Sequence, residues 1–146
     1  MEHTNSKVGA ELLRLTLACR NADKLAAARV GLTVDEMHFL GALYLDRPTC
    51  VRELSELLRI SATRASKILH SLEQRGLVMR ALHPSDRRME QVSLTEEGQR
   101  TAENIVACFR DEQGTALRKM TTELTKQFSW VLPAVVWAYG ISSLTI

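Results

Sequence analysis

Basic side chains crowd one short stretch of this 146-residue chain. Arg59, Arg64, Lys67, Arg75, Arg80, Arg87 and Arg88 fall there, against only Glu73 and Asp86 of opposite sign. The stretch carries +5 in a chain of net charge +2, so the rest of the chain is slightly acidic. Cationic groups at this density suit an anionic polymer, because they neutralise phosphates and release condensed counterions. An arginine can also read guanine through two parallel hydrogen bonds. Interleaved with them stand Ser61, Thr63, Ser66 and His70, polar groups able to bond base edges or phosphate oxygens. The plainer alternative is a solvated charged face without a partner.

Other chemistries find less support. Cys19, Cys50 and Cys108 are odd in number and irregular in spacing, and no CxxC pair occurs. The histidines (His3, His38, His70, His83) do not join them in a ligand-spaced cluster, so neither a disulfide framework nor a metal site is expected. No glycine-rich cofactor loop is present, and the expectation is a protein without cofactor or catalysis. Two thiols are redox candidates. Cys50 fills the serine or threonine slot of Cys50-Val51-Arg52-Glu53, where a helix N-terminus and Arg52 would favour thiolate. A weak cap is the competing reading. Cys19 falls on an apolar helical seam and reads more simply as a packed thiol.

The elements that must carry these residues are legible from periodicity and punctuation. Val8, Leu12, Leu15, Cys19, Ala22 and Ala26 draw one apolar seam along a first helix from Ser6 to Arg29, ended by Gly31. Thr33-Val34-Asp35-Glu36 is a capping box opening a second helix with Met37, Leu40, Ala42, Leu43 and Leu45, broken at Asp46-Arg47-Pro48. A short helix, Val51 to Leu58, and a turn at Arg59-Ile60 lead to a fourth helix capped by Ser61 and ended at Gly76. Its apolar positions Ala62, Ala65, Ile68, Leu69 and Leu72 share a side, which leaves the polar and basic residues outward. The two helices form a helix-turn-helix candidate. Leu77 to Leu82 and Met89 to Leu94 then read as strands of a hairpin whose tip, 83–88, is basic. Thr95 caps a long fifth helix with Ala102, Ile105, Phe109, Ala116 and Met120 along one side, and a sixth starts near Thr122.

Trp130 and Trp137 are seven apart on that last helix and read as core or dimer interface. The apolar run from Phe128 to Ile141 is short for a membrane span and contains Pro133, so a buried helix is expected. Met1 to Lys7 lacks the apolar run of a signal peptide, and a cytoplasmic protein is expected. Leu13, Leu17, Met37, His38 and Leu43 could line a cavity between the first two helices or be ordinary packing.

Taken in order, several segments resemble the MarR family of winged helix-turn-helix regulators. These are Leu54-Ser55-Glu56-Leu57-Leu58, Ser61-Ala62-Thr63-Arg64-Ala65-Ser66-Lys67, Leu72-Glu73-Gln74-Arg75-Gly76-Leu77-Val78 with Arg80, Asp86-Arg87-Arg88, and Leu94-Thr95-Glu96-Glu97-Gly98. The resemblance covers about 32–100. It implies a mainly α fold with a small β-hairpin wing, and a homodimer built by an N-terminal helix (1–31) and C-terminal helices (101–146). It implies that Ser61, Thr63, Arg64, Ser66, Lys67 and His70 lie in or beside the major groove, with Arg87 and Arg88 as wing arginines. Ser61 could equally be only an N-cap, and His70 only a solvated residue. Asp86 matches a wing aspartate that orients an arginine, and Arg80 either contacts phosphate or pairs with Asp86. The expected partner is a palindromic double-stranded operator, and the expected role is repression relieved by a small aromatic or anionic effector. A redox-controlled repressor and a winged-helix module for protein contact are the alternatives.

Overall fold

The computed structural model describes residues 2–47, 50–82 and 90–138 of the chain. Helix ends set its outline. α1 (Glu2–Arg29) stops at Gly31, where the Leu32 amide donates to the Ala27 carbonyl at 2.9 Å. α4 (Ala62–Gln74) stops the same way at Gly76, whose φ of 70° is left-handed, with the Leu77 amide on the Leu72 carbonyl at 3.0 Å. Between them lie α2 (Val34–Leu45) and α3 (Val51–Leu57). The α3–α4 turn uses the same closure with Arg59 in the left-handed position (φ 52°), where glycine is usual.

After α4 the chain forms β1 (Val78–Leu82) and β2 (Glu90–Leu94), an antiparallel pair running from Val78 opposite Leu94 to Leu82 opposite Glu90. Two helices follow, α5 (Glu96–Leu117) and α6 (Thr122–Ala138). The result is mainly α with a two-stranded wing, as the sequence predicts. Boundaries differ slightly: α1 begins at Glu2 rather than Ser6, and α5 ends at Leu117, which leaves Met120 in the turn before α6.

The core lies where α2, α4 and the start of α5 meet. Met37, Phe39, Leu40, Leu54, Leu69 and Leu72 are fully enclosed, each worth roughly 1.5–3 kcal/mol of burial. Ala26 and Ala27 bring α1 to this core, Ala102 and Ile105 bring α5, and Val78 and Val92 bring the wing. Gly98 allows the closest approach, since a Cβ there would stand 1.8 Å from the Leu77 carbonyl oxygen. Thr95 locks the same junction: its hydroxyl donates to the Gly76 carbonyl at 2.6 Å and accepts from the Gly98 amide at 3.0 Å.

Much apolar surface is uncovered in the single chain. On α1 the N-terminal part of the predicted seam is open, with Val8 and Leu15 about half exposed, and Leu13 and Leu17 are exposed beside it. On α6, Leu124, Phe128, Val131 and Leu132 are exposed, and Trp130 is 84% exposed. Trp130 is therefore no core residue of this chain, and the side chain of Trp137 lies outside the described residues. The expectation of a buried last helix fails within one chain for that reason. No described helix is long and apolar enough to cross a membrane.

Candidate nucleic-acid interface

α4 divides cleanly into two faces. Ala65, Ile68, Leu69 and Leu72, spaced three and four apart, are buried and fix the helix to the core. Ser61, Thr63, Arg64, Ser66, Lys67 and His70 are all exposed. Ala62, expected on the apolar side, is exposed too, because it precedes the first turn that reaches the core. The Ser61 hydroxyl accepts from the Arg64 amide at 3.2 Å, so the N-cap role is realised in a residue that also faces outward.

The basic residues separate by what they touch. Arg64 reaches across to α2, where its Nε and Nη2 both donate to Asp35 Oδ2 at 3.2 and 2.5 Å. Arg75 donates to the Gly31 carbonyl at 2.6 Å and to Glu36 Oε2 at 3.3 Å, tying the end of α4 to the α1–α2 junction. Arg80 on β1 bridges Glu73 of α4 at 3.2 Å and Glu90 of β2 at 3.1 Å. Its expected partner Asp86, and the wing arginines Arg87 and Arg88, lie outside the described residues. Among the described residues Lys67 has no ion-pair partner, and its ammonium is open to solvent. Part of the +5 charge inferred from sequence is thus spent inside the fold, with Arg75 and Arg80 fixing the helix and wing.

Glu36 organises this junction. It is buried, and it closes the capping box by accepting from the Thr33 amide at 2.8 Å while the Thr33 hydroxyl accepts from the Glu36 amide at 3.2 Å. Its other oxygen accepts from the Ser71 hydroxyl at 2.5 Å. Burial pushes its carboxyl upward, but the bonds from Ser71 and Thr33 and the Arg75 charge outweigh that and hold it below the ordinary carboxylate value. One residue therefore caps α2 and aligns α4. Sequence reasoning found the cap. It missed the long-range role, and it missed Asp35 as the Arg64 partner, because neither contact has a local signature.

Cys50 stands at the N-cap of α3, yet its side chain makes no capping bond and is 5% exposed. The expected capping box is absent there, and the Cys50 backbone bridges to Gln91 near the far end of β2. Arg52 points away and pairs loosely with Glu56 at 3.8 Å. Cys19 and Cys108 are half-buried on α1 and α5. No group of metal-ligating side chains occurs among the described residues.

A cavity of about 420 Å³ opens between α2, α3 and α5, lined mainly by apolar side chains including Met37, Leu45, Leu57, Leu58, Ile105 and Phe109, with His38 at its edge. Of the residues expected to line a cavity between the first two helices, Met37 and His38 do line this one, whereas Leu13, Leu17 and Leu43 do not. His38 reaches Asp23 of α1 at 3.2 Å.

Comparison with known proteins agrees with this geometry. Residues 30–89 match the model of the MarR family. The HTH-type transcriptional regulator BilQ of Clostridium symbiosum is 27% identical over 119 residues, covering 80% of this chain and 78% of BilQ. A MarR family protein of Bacillus stearothermophilus has the same fold, with a TM-score of 0.84 at 18% identity over 96% of this chain and 98% of that one. A Staphylococcus aureus MepR mutant bound to an oligodeoxyribonucleotide superposes with a TM-score of 0.63 at 20% identity over 89% of this chain and 96% of that one.

Proposed function

We propose that the chain is a MarR-family transcriptional regulator, a reading supported by the family match over residues 30–89 and the likeness to BilQ, and that it is a homodimeric repressor of a palindromic operator. The observation that carries this reading is the two-faced α4, whose outward side is polar and basic apart from Ala62 while its inward side is locked to the core. In this reading Thr63, Arg64, Ser66, Lys67 and His70 enter or border the major groove, with Ser61 capping the helix there. Arg87 and Arg88 reach the adjacent minor groove from the wing. Arg80 and Asp86 support the wing.

The winged region spans 32–100, and 1–31 with 101–146 build the dimer. The exposed apolar residues of α1 and α6 support that division, since water contact with so much apolar surface is unfavourable unless a partner covers it. A second copy of the chain is the natural cover, because such an interface closes by two-fold symmetry and matches a palindrome. The cytoplasm is the proposed location. Release by a small aromatic or anionic effector completes the proposal, supported by the cavity between the wing-bearing region and α5. The redox alternative is weakened at Cys50 by its burial, and nothing in the geometry favours a purely protein-binding module.

The test is fluorescence anisotropy on duplexes selected from a random pool, across a salt series. A slope consistent with several phosphate contacts and a clear preference over random duplex are expected. Lys67→Ala should weaken binding to all sequences alike and reduce the slope by about one. Equal affinity for selected and random duplex at moderate salt refutes the reading.

A further inference from the structure

Asp35 is an odd residue to find on a surface meant for DNA. It lies in the first turn of α2, about half exposed, and its carboxylate faces the first turn of α4. An uncompensated carboxylate there repels phosphates and weakens binding to every sequence. Nor is its ion pair worth much to folding, since pairs this open to water contribute little. The helix dipole favours an acidic residue in the first turn of α2, but it does not account for the contact with Arg64.

The geometry supplies that account. A guanidinium has five N–H donors in a rigid plane. Asp35 Oδ2 takes the Nε–H and one Nη2–H of Arg64, at 3.2 and 2.5 Å. Three donors remain, and they include the outer edge formed by Nη1 and Nη2. That edge is the fork that bonds the O6 and N7 acceptors of guanine in the major groove. Arg64 is also the third residue of α4, near the helix N-terminus, where a groove-docked helix brings side chains to base edges. An unheld arginine on an exposed turn samples many rotamers and swings as readily to a phosphate as to a base. Holding one edge of its plane restricts it to presenting the other.

We infer that Asp35 is a positioning residue that orients Arg64 for guanine readout and so sets base preference at one position of each operator half-site. The inference rests on the DNA-binding reading above and adds to it a residue outside the helix-turn-helix. Asp35 touches no base. Its effect is on discrimination rather than on affinity. Removing it relieves phosphate repulsion, so binding to poor sequences stays level or rises slightly while the guanine preference falls.

The experiment uses the full-length chain and duplexes selected from a random pool, then measures affinity for operators altered one base pair at a time. The wild-type protein is expected to favour guanine at one half-site position by about tenfold or more. Arg64→Ala abolishes that preference. Asp35→Ala lowers it at least fivefold, leaves preferences elsewhere in the site intact, and does not reduce binding to random duplex. Asp35→Asn, which retains the shape without the charge, gives an intermediate loss. Adding Asp35→Ala to Arg64→Ala changes the relative affinity of no altered operator, as expected if Asp35 sets base preference only through Arg64. A merely structural role would instead depress all operators together and lower the melting temperature. Guanine preference that survives Asp35→Ala or Arg64→Ala overturns the inference while leaving DNA binding in place. Absence of any sequence preference in the wild-type protein removes the DNA-binding reading itself.

Discussion

Glu36→Gln is the most informative perturbation of the scaffold. In the native chain, donors reach both carboxylate oxygens: Ser71 on one, and the Thr33 amide and hydroxyl with Arg75 on the other. Glutamine preserves the shape but offers a single acceptor oxygen, so its amide must face one set of donors with hydrogens of its own. The Ser71 hydroxyl can rotate to accept, which makes that side the cheaper one to convert. What is lost is charge assistance. Bonds to an ionised group are worth roughly 1.5–3 kcal/mol each, against about 1 for neutral ones. The Arg75 bond is discounted because that side chain is 42% exposed and screened by water. Relief of carboxylate desolvation returns part of the loss. The net is a destabilisation of about 2 kcal/mol at neutral pH.

The pH dependence gives the sharper test. The folded-state carboxyl is held below its ordinary value of 4.5, so its stabilising contribution is fully present above that value. The contribution is lost as pH falls through the folded value. Urea unfolding of both proteins at one fixed concentration, followed by circular dichroism from pH 7 down to pH 3, should show the stability gap closing with acid. The other carboxylates titrate in both proteins and cancel in the difference. A gap under about 0.5 kcal/mol at pH 7, or one that stays constant to pH 3, refutes the assigned role of the Glu36 charge, since differences that small are typical of ordinary surface changes.

Three further outcomes follow from the packing. Gly98→Ala forces a Cβ into the Leu77 carbonyl, a backbone group that can yield only by shifting α5 from the wing, so a loss of about 3 kcal/mol is expected by chemical denaturation; near-neutral behaviour contradicts the close approach. If the exposed face of α6 forms the proposed dimer interface, Trp130→Ala should weaken self-association at least about tenfold by sedimentation, as loss of an aromatic anchor does, and unchanged self-association would place the interface elsewhere. Cys50 should react with a maleimide at least about a hundredfold more slowly in the native protein than in urea, because its sulfur is reached only through opening of the surrounding structure; rapid native labelling would restore it as a redox candidate.

Local chemistry made most of the fold legible from the chain alone. The α2 capping box, the Ser61 cap, Gly31 and Gly76 as helix ends, and the three-and-four spacing of Ala65, Ile68, Leu69 and Leu72 all act within one or two turns. Sequence neighbours are spatial neighbours at that range, so residue type and spacing are sufficient. The outward face of α4 follows from the same periodicity. Tertiary structure alone decided what each charge does. Arg64 and Asp35 are 29 positions apart, Arg75 and Glu36 are 39, and Ser71 and Glu36 are 35. These pairs meet because core packing sets α2 against α4. Ion-pair geometry is short-ranged and directional, and no local pattern encodes it. The same limit applies to Cys50, which stands at the N-cap as its spacing suggests but makes no capping bond and is buried, its backbone bridging to Gln91. The excess of arginine and lysine over 59–88 was thus visible in the sequence. Its division into side chains that hold the scaffold and side chains free to meet a partner came only with the fold.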